Sequence, residues 1–439
     1  LRRLLPEKRE ILIGRIEMTT DKKDSFGNKI DPVVGFARGS IIRSSVDEAR
    51  RLRQGQHIAA ERVRKLGAPS IGVFTGNQRE FPVGEDDLNT YCEEWVGPGL
   101  FAEELRQAAI KHMGGRPDDL AVPVNRTSAG IIATIAALAE GKPVVSIVPP
   151  GGRSHASVIR GAYIARVEMT EVGGDQDWRK AISDLKPALV IVTTVTSSLE
   201  FLDDAIALEA TAFAKSSGAK TLLDEAYGAR MRPVLRGGLL SLELGGDIAI
   251  TNCDKAGLSG PRSGLLVGRP DLATRVAAKA SEFGMEARAP IAAGALRSLQ
   301  RFSPKDLTDE AESGQQLGQA LQKKLGSKLV VVSALGPMIE EDLVLREVLR
   351  RAGKEGTSIV PCEITSALGM LLLRDHGILT VNTHGQPGAR VSVRLKPTHG
   401  AISKVGGMSA VVDAMDSVLS DLASQIGNVD GLSTLILGQ

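Results

Sequence analysis

Residues 245–264 read GGDIAITNCDKAGLSGPRSG, and one residue in them governs how the rest of the chain is understood. The run through Ile250 is apolar enough to be a buried strand, and the residues after it are small or turn-forming. Lys255 therefore stands among glycines, serines, an alanine and a proline, company that a solvated surface lysine rarely keeps. Two readings are open from these residues alone. The stretch is an ordinary exit from strand to loop, or Lys255 is buried because something has to be attached to it.

Working outward, the same kind of apolar run recurs at KPVVSIVPP (142–150), ALVIVTTV (188–195) and KTLLDEA (220–226). Between the runs lie the helical patterns AGIIATIAALAEG (129–141), DQDWRKAISDLK (175–186) and DDAIALEATAFAKSSG (203–218). The last has Asp203 where an N-cap belongs and Gly218 just past its end. Strands that are apolar throughout and spaced by helices predict a mainly parallel sheet covered on both faces. Ligands of such sheets sit beyond the carboxyl ends of the strands, so the polar residues after each run are the site candidates.

Four clusters answer that description. VNRTSAG (124–130) precedes a helix, so Thr127, Ser128, Ala129 and their backbone N–H groups form an anion cup. GGRSHAS (151–157) carries His155. LLDEAYGAR (222–230) sets Asp224 at a strand exit, followed by Ala226 and Tyr227. The opening stretch supplies Lys255 and Arg262. Singly, each has a structural explanation: a helix cap, a loop histidine, a turn carboxylate, a surface amine. Their occurrence in this order at the ends of one sheet favours the functional one.

The 439 residues carry 54 basic and 52 acidic side chains, so no overall field draws the chain to nucleic acid or to a membrane surface. The basic run at 48–65 reads as a solvated helix face. Cys92, Cys253 and Cys362 lie far apart without metal-ligand spacing, and an odd count suits a reducing compartment; we expect no metal and a cytoplasmic protein. Apolar runs fall short of the ~20 residues that span a bilayer. The N-terminal LRRLLPEKREILIG lacks the long apolar core of a signal peptide. Residues 307–326 read as a long amphipathic connecting helix, after which strand-like and helical patterns mix up to a final helix at 408–426. We expect an N-terminal arm and loop-rich segment over 1–110, a large domain over 111–305 and a small α+β domain over 306–439. Whether the loop-rich part at 74–99 lines a pocket or only connects surfaces stays open.

The constellation resembles the fold-type I pyridoxal-phosphate enzymes. That resemblance implies an α/β architecture: a mainly parallel seven-stranded sheet in the large, cofactor-binding domain, with a smaller α+β C-terminal domain. It also implies roles. Lys255 forms the Schiff base with pyridoxal 5'-phosphate, and Asp224 keeps the pyridine nitrogen protonated. His155 stacks on the ring and Ala226 packs under it. Thr127, Ser128, Ala129 and Arg262 hold the phosphate, and Tyr227 reaches the phenolic oxygen as in aminotransferases. CDKAGLSGPRSGLLVGR (253–269) is similar to the lysine segment of the selenocysteine synthase-like group, which includes L-seryl-tRNA(Sec) selenium transferase. DEAYG is nearer to aminotransferases, and SHASVIRGA (154–162) resembles a decarboxylase branch. GARVSVRLKPTHGAISKVGGMSAVVDAM (388–415) is similar to the end of the tryptophanase and tyrosine phenol-lyase group, which makes Arg394 the substrate-carboxylate ligand. Arg390 competes for that role, and a solvent-facing strand arginine is the alternative.

The near-neutral charge and few aromatics argue against a tRNA substrate and for a small amino acid. The lysine-segment and C-terminal resemblances both imply chemistry at the β-carbon, hence a lyase performing α,β-elimination with ammonia release. An aminotransferase, a decarboxylase or racemase, and a non-catalytic pyridoxal-phosphate-binding protein remain alternatives. The superfamily builds its sites between subunits, so the resemblance also implies a homodimer or larger homo-oligomer.

Overall fold

A computed structural model describes residues 22–438; the N-terminal LRRLLPEKREILIG lies outside the described residues. Its centre is a seven-stranded sheet built from Leu120–Val124 (β1), Val144–Val148 (β2), Met169–Gly173 (β3), Leu189–Thr193 (β4), Lys220–Asp224 (β5), Ile248–Asn252 (β6) and Gly264–Gly268 (β7). The spatial order is β1-β7-β6-β5-β4-β2-β3. Only β7 runs antiparallel to its neighbours, pairing Gly264 with both Val124 and Asn252. The mainly parallel seven-stranded sheet and the α/β class are as the sequence and its resemblance predict.

Alternation along each strand feeds two cores. Val145, Ile147, Val190, Val192 and Leu223 face one layer, which includes the helices Gly97–Met113, Asp204–Ser216 and Ala289–Arg301. Val144, Leu189, Ile191 and Leu222 face the other, formed by Thr127–Leu138, Ala156–Ala165 and Pro270–Glu282. Burying each such aliphatic side chain stabilises the fold by roughly 1.5–3 kcal/mol, which is why strands apolar on both faces are stable only between two helical layers. The helix Asp204–Ser216 begins as expected: the Asp203 carboxylate accepts from the Ala205 N–H at 2.8 Å.

A third core joins the beginning and the end of the chain. Val34, Phe36, Ile41, Ile42 and Phe74 pack with residues of the helices Pro304–Leu325, Glu341–Ala352, Pro361–His376 and Met408–Gln425. Beside it, Val331–Ser333 (β8), Gly336–Ile339 (β9) and Val393–Arg394 (β10) form a small antiparallel sheet, giving the C-terminal part its α+β character. No helix among the described residues is long and apolar enough to cross a membrane.

Candidate active site

The register of the sheet delivers the polar strand ends to one edge. Thr193 stands opposite Asp224, and the Val124 end of β1 and the Asn252 end of β6 both meet the start of β7. Gly264 is required there. A Cβ at this position would lie 2.7 Å from the Thr127 nitrogen and the Arg126 carbonyl carbon, so only glycine lets β7 pass under the first turn of the helix Thr127–Leu138. Above this edge is a cavity of about 450 Å³.

Lys255 enters the cavity from a tight turn. Ala256 and Gly257 both adopt positive φ, +50° and +82°, and a Cβ on Gly257 would strike Leu307 of the neighbouring helix. The turn is fixed from beneath by Arg230, fully buried, whose guanidinium donates to Thr251 Oγ1 at 2.9 Å, Asn252 Oδ1 at 3.0 Å and the Ala256 carbonyl at 3.1 Å. The small residues around Lys255 are thus there to shape this turn against its packing partners. Burial pushes the Lys255 amine down to about 8, against the pull of Asp254 and Asp224. Asp254 is itself held by Asn77 Nδ2 at 3.3 Å and Arg79 Nε at 3.2 Å.

Asp224 is 4% exposed and its carboxylate accepts only a long 3.4 Å bond from the Ala226 N–H, so burial raises it to about 6. His155 is open to the cavity. Its Nδ1 caps the helix Ala156–Ala165 by accepting from the Ser157 N–H at 3.2 Å, and its surroundings together with the Lys255 charge push the imidazole below its ordinary pKa. A neutral ring protonated on Nε2 satisfies both observations.

At the N-terminus of the helix Thr127–Leu138, Thr127, Ser128, Arg126 and Arg262 line the cavity together. Burial, and then the neighbouring Arg126 and Arg79 charges, push Arg262 down to about 10, against the pull of Asp254. Ala129 does not join them. It lies outside the cavity lining, and its N–H donates to the Arg126 carbonyl at 2.9 Å, which leaves the cup to the two residues before it.

The opposite wall comes from the C-terminal part. Arg394 is buried; its Nη1 donates to the Ser197 carbonyl and its Nη2 to the Arg390 carbonyl at 3.3 Å, while Nε has no partner among the described residues. Two positions along the same chain, buried Lys396 donates from Nζ to the Tyr227 hydroxyl oxygen at 2.9 Å. Lys255 and Lys396 lie 5.0 and 4.4 Å from the centroid of the Tyr227 ring. Burial raises Tyr227 to about 12, and burial with the Arg394 and Lys255 charges drives Lys396 well below its usual value.

The cavity therefore gathers Thr127, Ser128, His155, Asp224, Ala226, Tyr227, Lys255, Arg262 and, from the distant C-terminal part, both Arg390 and Arg394. Sequence reasoning missed Lys396, although its alternation with Arg394 put both on one side of an extended segment. It also left open the loop after Phe74, where Thr75, Asn77 and Arg79 line the cavity. A depressed amine, a buried carboxylate and an anion cup within one cavity can hold a small, flat, phosphorylated aldehyde.

No protein-family model matches the chain. A UPF0425 pyridoxal phosphate-dependent protein of Methanothermobacter thermautotrophicus is 31% identical over 405 residues, spanning 91% of this chain and 100% of that protein. One of the same description from Methanosphaera stadtmanae is 28% identical over 353 residues, 80% of this chain and 88% of that one. Among solved structures, a complex of SepCysS with the SepCysE N-terminal domain matches with a TM-score of 0.54 at 14% identity, covering 80% of this chain and 95% of that one. The ureidoglycine-glyoxylate aminotransferase of Bacillus subtilis gives 0.53 at 15% identity over 83% and 96%. These structural likenesses speak to the fold, that of the fold-type I pyridoxal-phosphate enzymes, and do not single out the selenocysteine synthase-like group. The sequence relatives go further: this chain belongs to the UPF0425 family of pyridoxal phosphate-dependent proteins.

Proposed function

We propose that the protein is a pyridoxal-phosphate-dependent lyase that eliminates a β-substituent from a small amino acid, releasing ammonia and a 2-oxo acid. The residues fit the cofactor. Lys255 holds its aldehyde end, and Asp224, a buried acceptor with only one long bond, holds the pyridine N–H. His155 and Ala226 would flank its ring, and Thr127, Ser128, Arg126 and Arg262 would hold its phosphate. Bound pyridoxal phosphate supplies an aldehyde for amines and a ring that takes up the electrons of a bond broken at the α-carbon.

The chain's own groups carry the protons. Arg394, which lines the cavity, binds the α-carboxylate and orients the substrate. The Lys255 amine, at about 8, is a base near neutral pH and accepts the α-proton. Tyr227, held protonated by burial, donates its hydroxyl proton to the departing β-substituent; the Lys396 N–H hydrogen bond steadies the phenolate left behind, and solvent returns the proton. Water then releases ammonia from the unsaturated amino acid.

The observation that carries this reading is the Lys396–Tyr227 pair: amino transfer needs one shuttling amine, whereas elimination needs a second acid for the leaving group. Carry-over from the resembling superfamily adds a second copy of the chain near the cavity mouth. The alternative, an aminotransferase, draws on the DEAY sequence and on the aminotransferase fold relatives. The test is ammonia release from β-substituted amino acids with and without a 2-oxo acid. Release without the acceptor supports the lyase; turnover only with it makes the protein an aminotransferase.

A further inference from the structure

The proposed chemistry needs cations for two anions, the cofactor phosphate and one substrate carboxylate. Arg126 and Arg262 serve the first and Arg394 the second. Four more arginines line the same cavity; Arg79 is taken up by Asp254 at 3.2 Å, but Arg153, Arg160 and Arg390 have no carboxylate within 4.0 Å among the described residues. The Arg390 charge opposes the ionised forms of Arg153, Arg394 and His155, and that of Arg160 opposes ionised His155.

These are not loose surface side chains. Arg153 is anchored by donating from Nη2 to the Pro32 carbonyl at 2.8 Å, and Arg160 from Nη1 to the Pro387 carbonyl at 3.0 Å. The loop carrying Pro387 and Arg390 is pinned in turn. Fully buried Glu48 accepts from the Gly388 N–H at 3.4 Å, and buried Arg51 donates to the Gly385 carbonyl at 2.9 Å. Gly388 adopts φ +85°, which favours glycine, and a Cβ there would displace the Arg160 guanidinium, 2.7 Å away. Each anchor uses one nitrogen and leaves the rest of the fork free. Carboxylates act on these cations only from beyond 4.0 Å, Glu171 and Asp31 on Arg153 and Glu200 and Glu341 with Arg390, so the facing guanidiniums are open to an anion between them, and their forks suit carboxylate and phosphate oxygens.

Resting on the proposed amino-acid chemistry, we propose that the substrate carries a second anionic group, a carboxylate or a phosphate at the end of its side chain, bound by Arg153, Arg160 and Arg390. The test uses the cofactor-loaded protein and follows the visible absorbance change on amine binding for matched pairs: L-aspartate against L-asparagine, L-glutamate against L-glutamine, and L-O-phosphoserine against L-serine. The anionic member of at least one pair should bind at least roughly tenfold more tightly, as expected for charge-assisted bonds. The preferred pair tells carboxylate from phosphate. In Arg390→Met and Arg160→Met proteins that ratio should collapse towards one; Arg390 anchors no other segment through its guanidinium, so its variant keeps the test sound if Arg160→Met folds poorly. Equal or tighter binding of all three neutral members, or a ratio unchanged in Arg390→Met, overturns the proposal. Absence of any absorbance change with every amine would overturn the amino-acid reading itself, a distinct result.

Discussion

Asp224→Asn should stabilise the cofactor-free chain, and by an amount that depends on pH. Asp224 is 4% exposed, and its carboxyl is raised from 3.8 to about 6. Between those values the folded chain holds the proton more tightly than the unfolded one, so raising the pH through them removes stability. The whole penalty, about 3 kcal/mol at roughly 1.36 kcal/mol per unit, is in force above about pH 6–7 and is lifted below the unfolded value. The uncharged amide escapes it. With an unfolding entropy of about 2.1 cal/mol/K per residue over 439 residues, the variant should melt about 3 °C higher at pH 8. At pH 5 the gain should fall to about half. Thermal melts of cofactor-free wild type and variant at the two pH values measure this, and melts with saturating pyridoxal phosphate should show a smaller cofactor stabilisation in the variant. A variant no more stable than wild type at pH 8, or a gain independent of pH, would refute the view of Asp224 as a buried carboxylate lacking its partner.

Three other outcomes follow from the same geometry. With Lys255 at about 8, the rate of pyridoxal phosphate uptake by the cofactor-free chain should rise with pH and level off just above that value; a rate still climbing tenfold per unit past pH 9 contradicts it. Gly264→Ala, whose Cβ would lie 2.7 Å from the Thr127 nitrogen, should cost about 1–3 kcal/mol of stability and weaken cofactor binding, read by urea unfolding and by absorbance titration. The Glu225–Arg232 pair is buried at 2.9 Å, with side-chain exposures of 0% and 2%. Breaking it with Glu225→Ala should cost about 3–5 kcal/mol in urea unfolding, and an unchanged midpoint would be inconsistent with a buried ion pair.

What was legible in the sequence follows from how each feature is encoded. β2, β4, β5 and β6 show as uninterrupted apolar runs because both faces are buried. β3 did not, because it is an edge strand, and its MTEVG carries the exposed Glu171. The polar ends of the buried strands were readable because the topology of parallel sheets fixes where those ends go. Side-chain direction was not. Nothing in GGRSHAS or SHASVIRGA tells whether Arg153 and Arg160 turn towards solvent or towards His155; that depends on Pro32 and on the loop at 385–390, far away in sequence. Likewise the loop after Phe74 reaches the site through partners far away in sequence, Thr75 bridging to Lys396 and Asn77 to Lys255, with Asn77 and Arg79 on Asp254. The reason for small residues around Lys255 was partly legible: they allow a positive-φ turn packed against Leu307.

The central claim is that Lys255 carries the cofactor. The cavity holds a second buried amine, Lys396, near the same tyrosine ring, so the claim can be separated from its nearest rival. Reduction of the cofactor-loaded protein with borohydride, followed by proteolysis and peptide mass mapping, fixes the label to one side chain. The account predicts the phosphopyridoxyl group on Lys255, and its loss in Lys255→Ala; a label on Lys396, or one undiminished in Lys255→Ala, would contradict it.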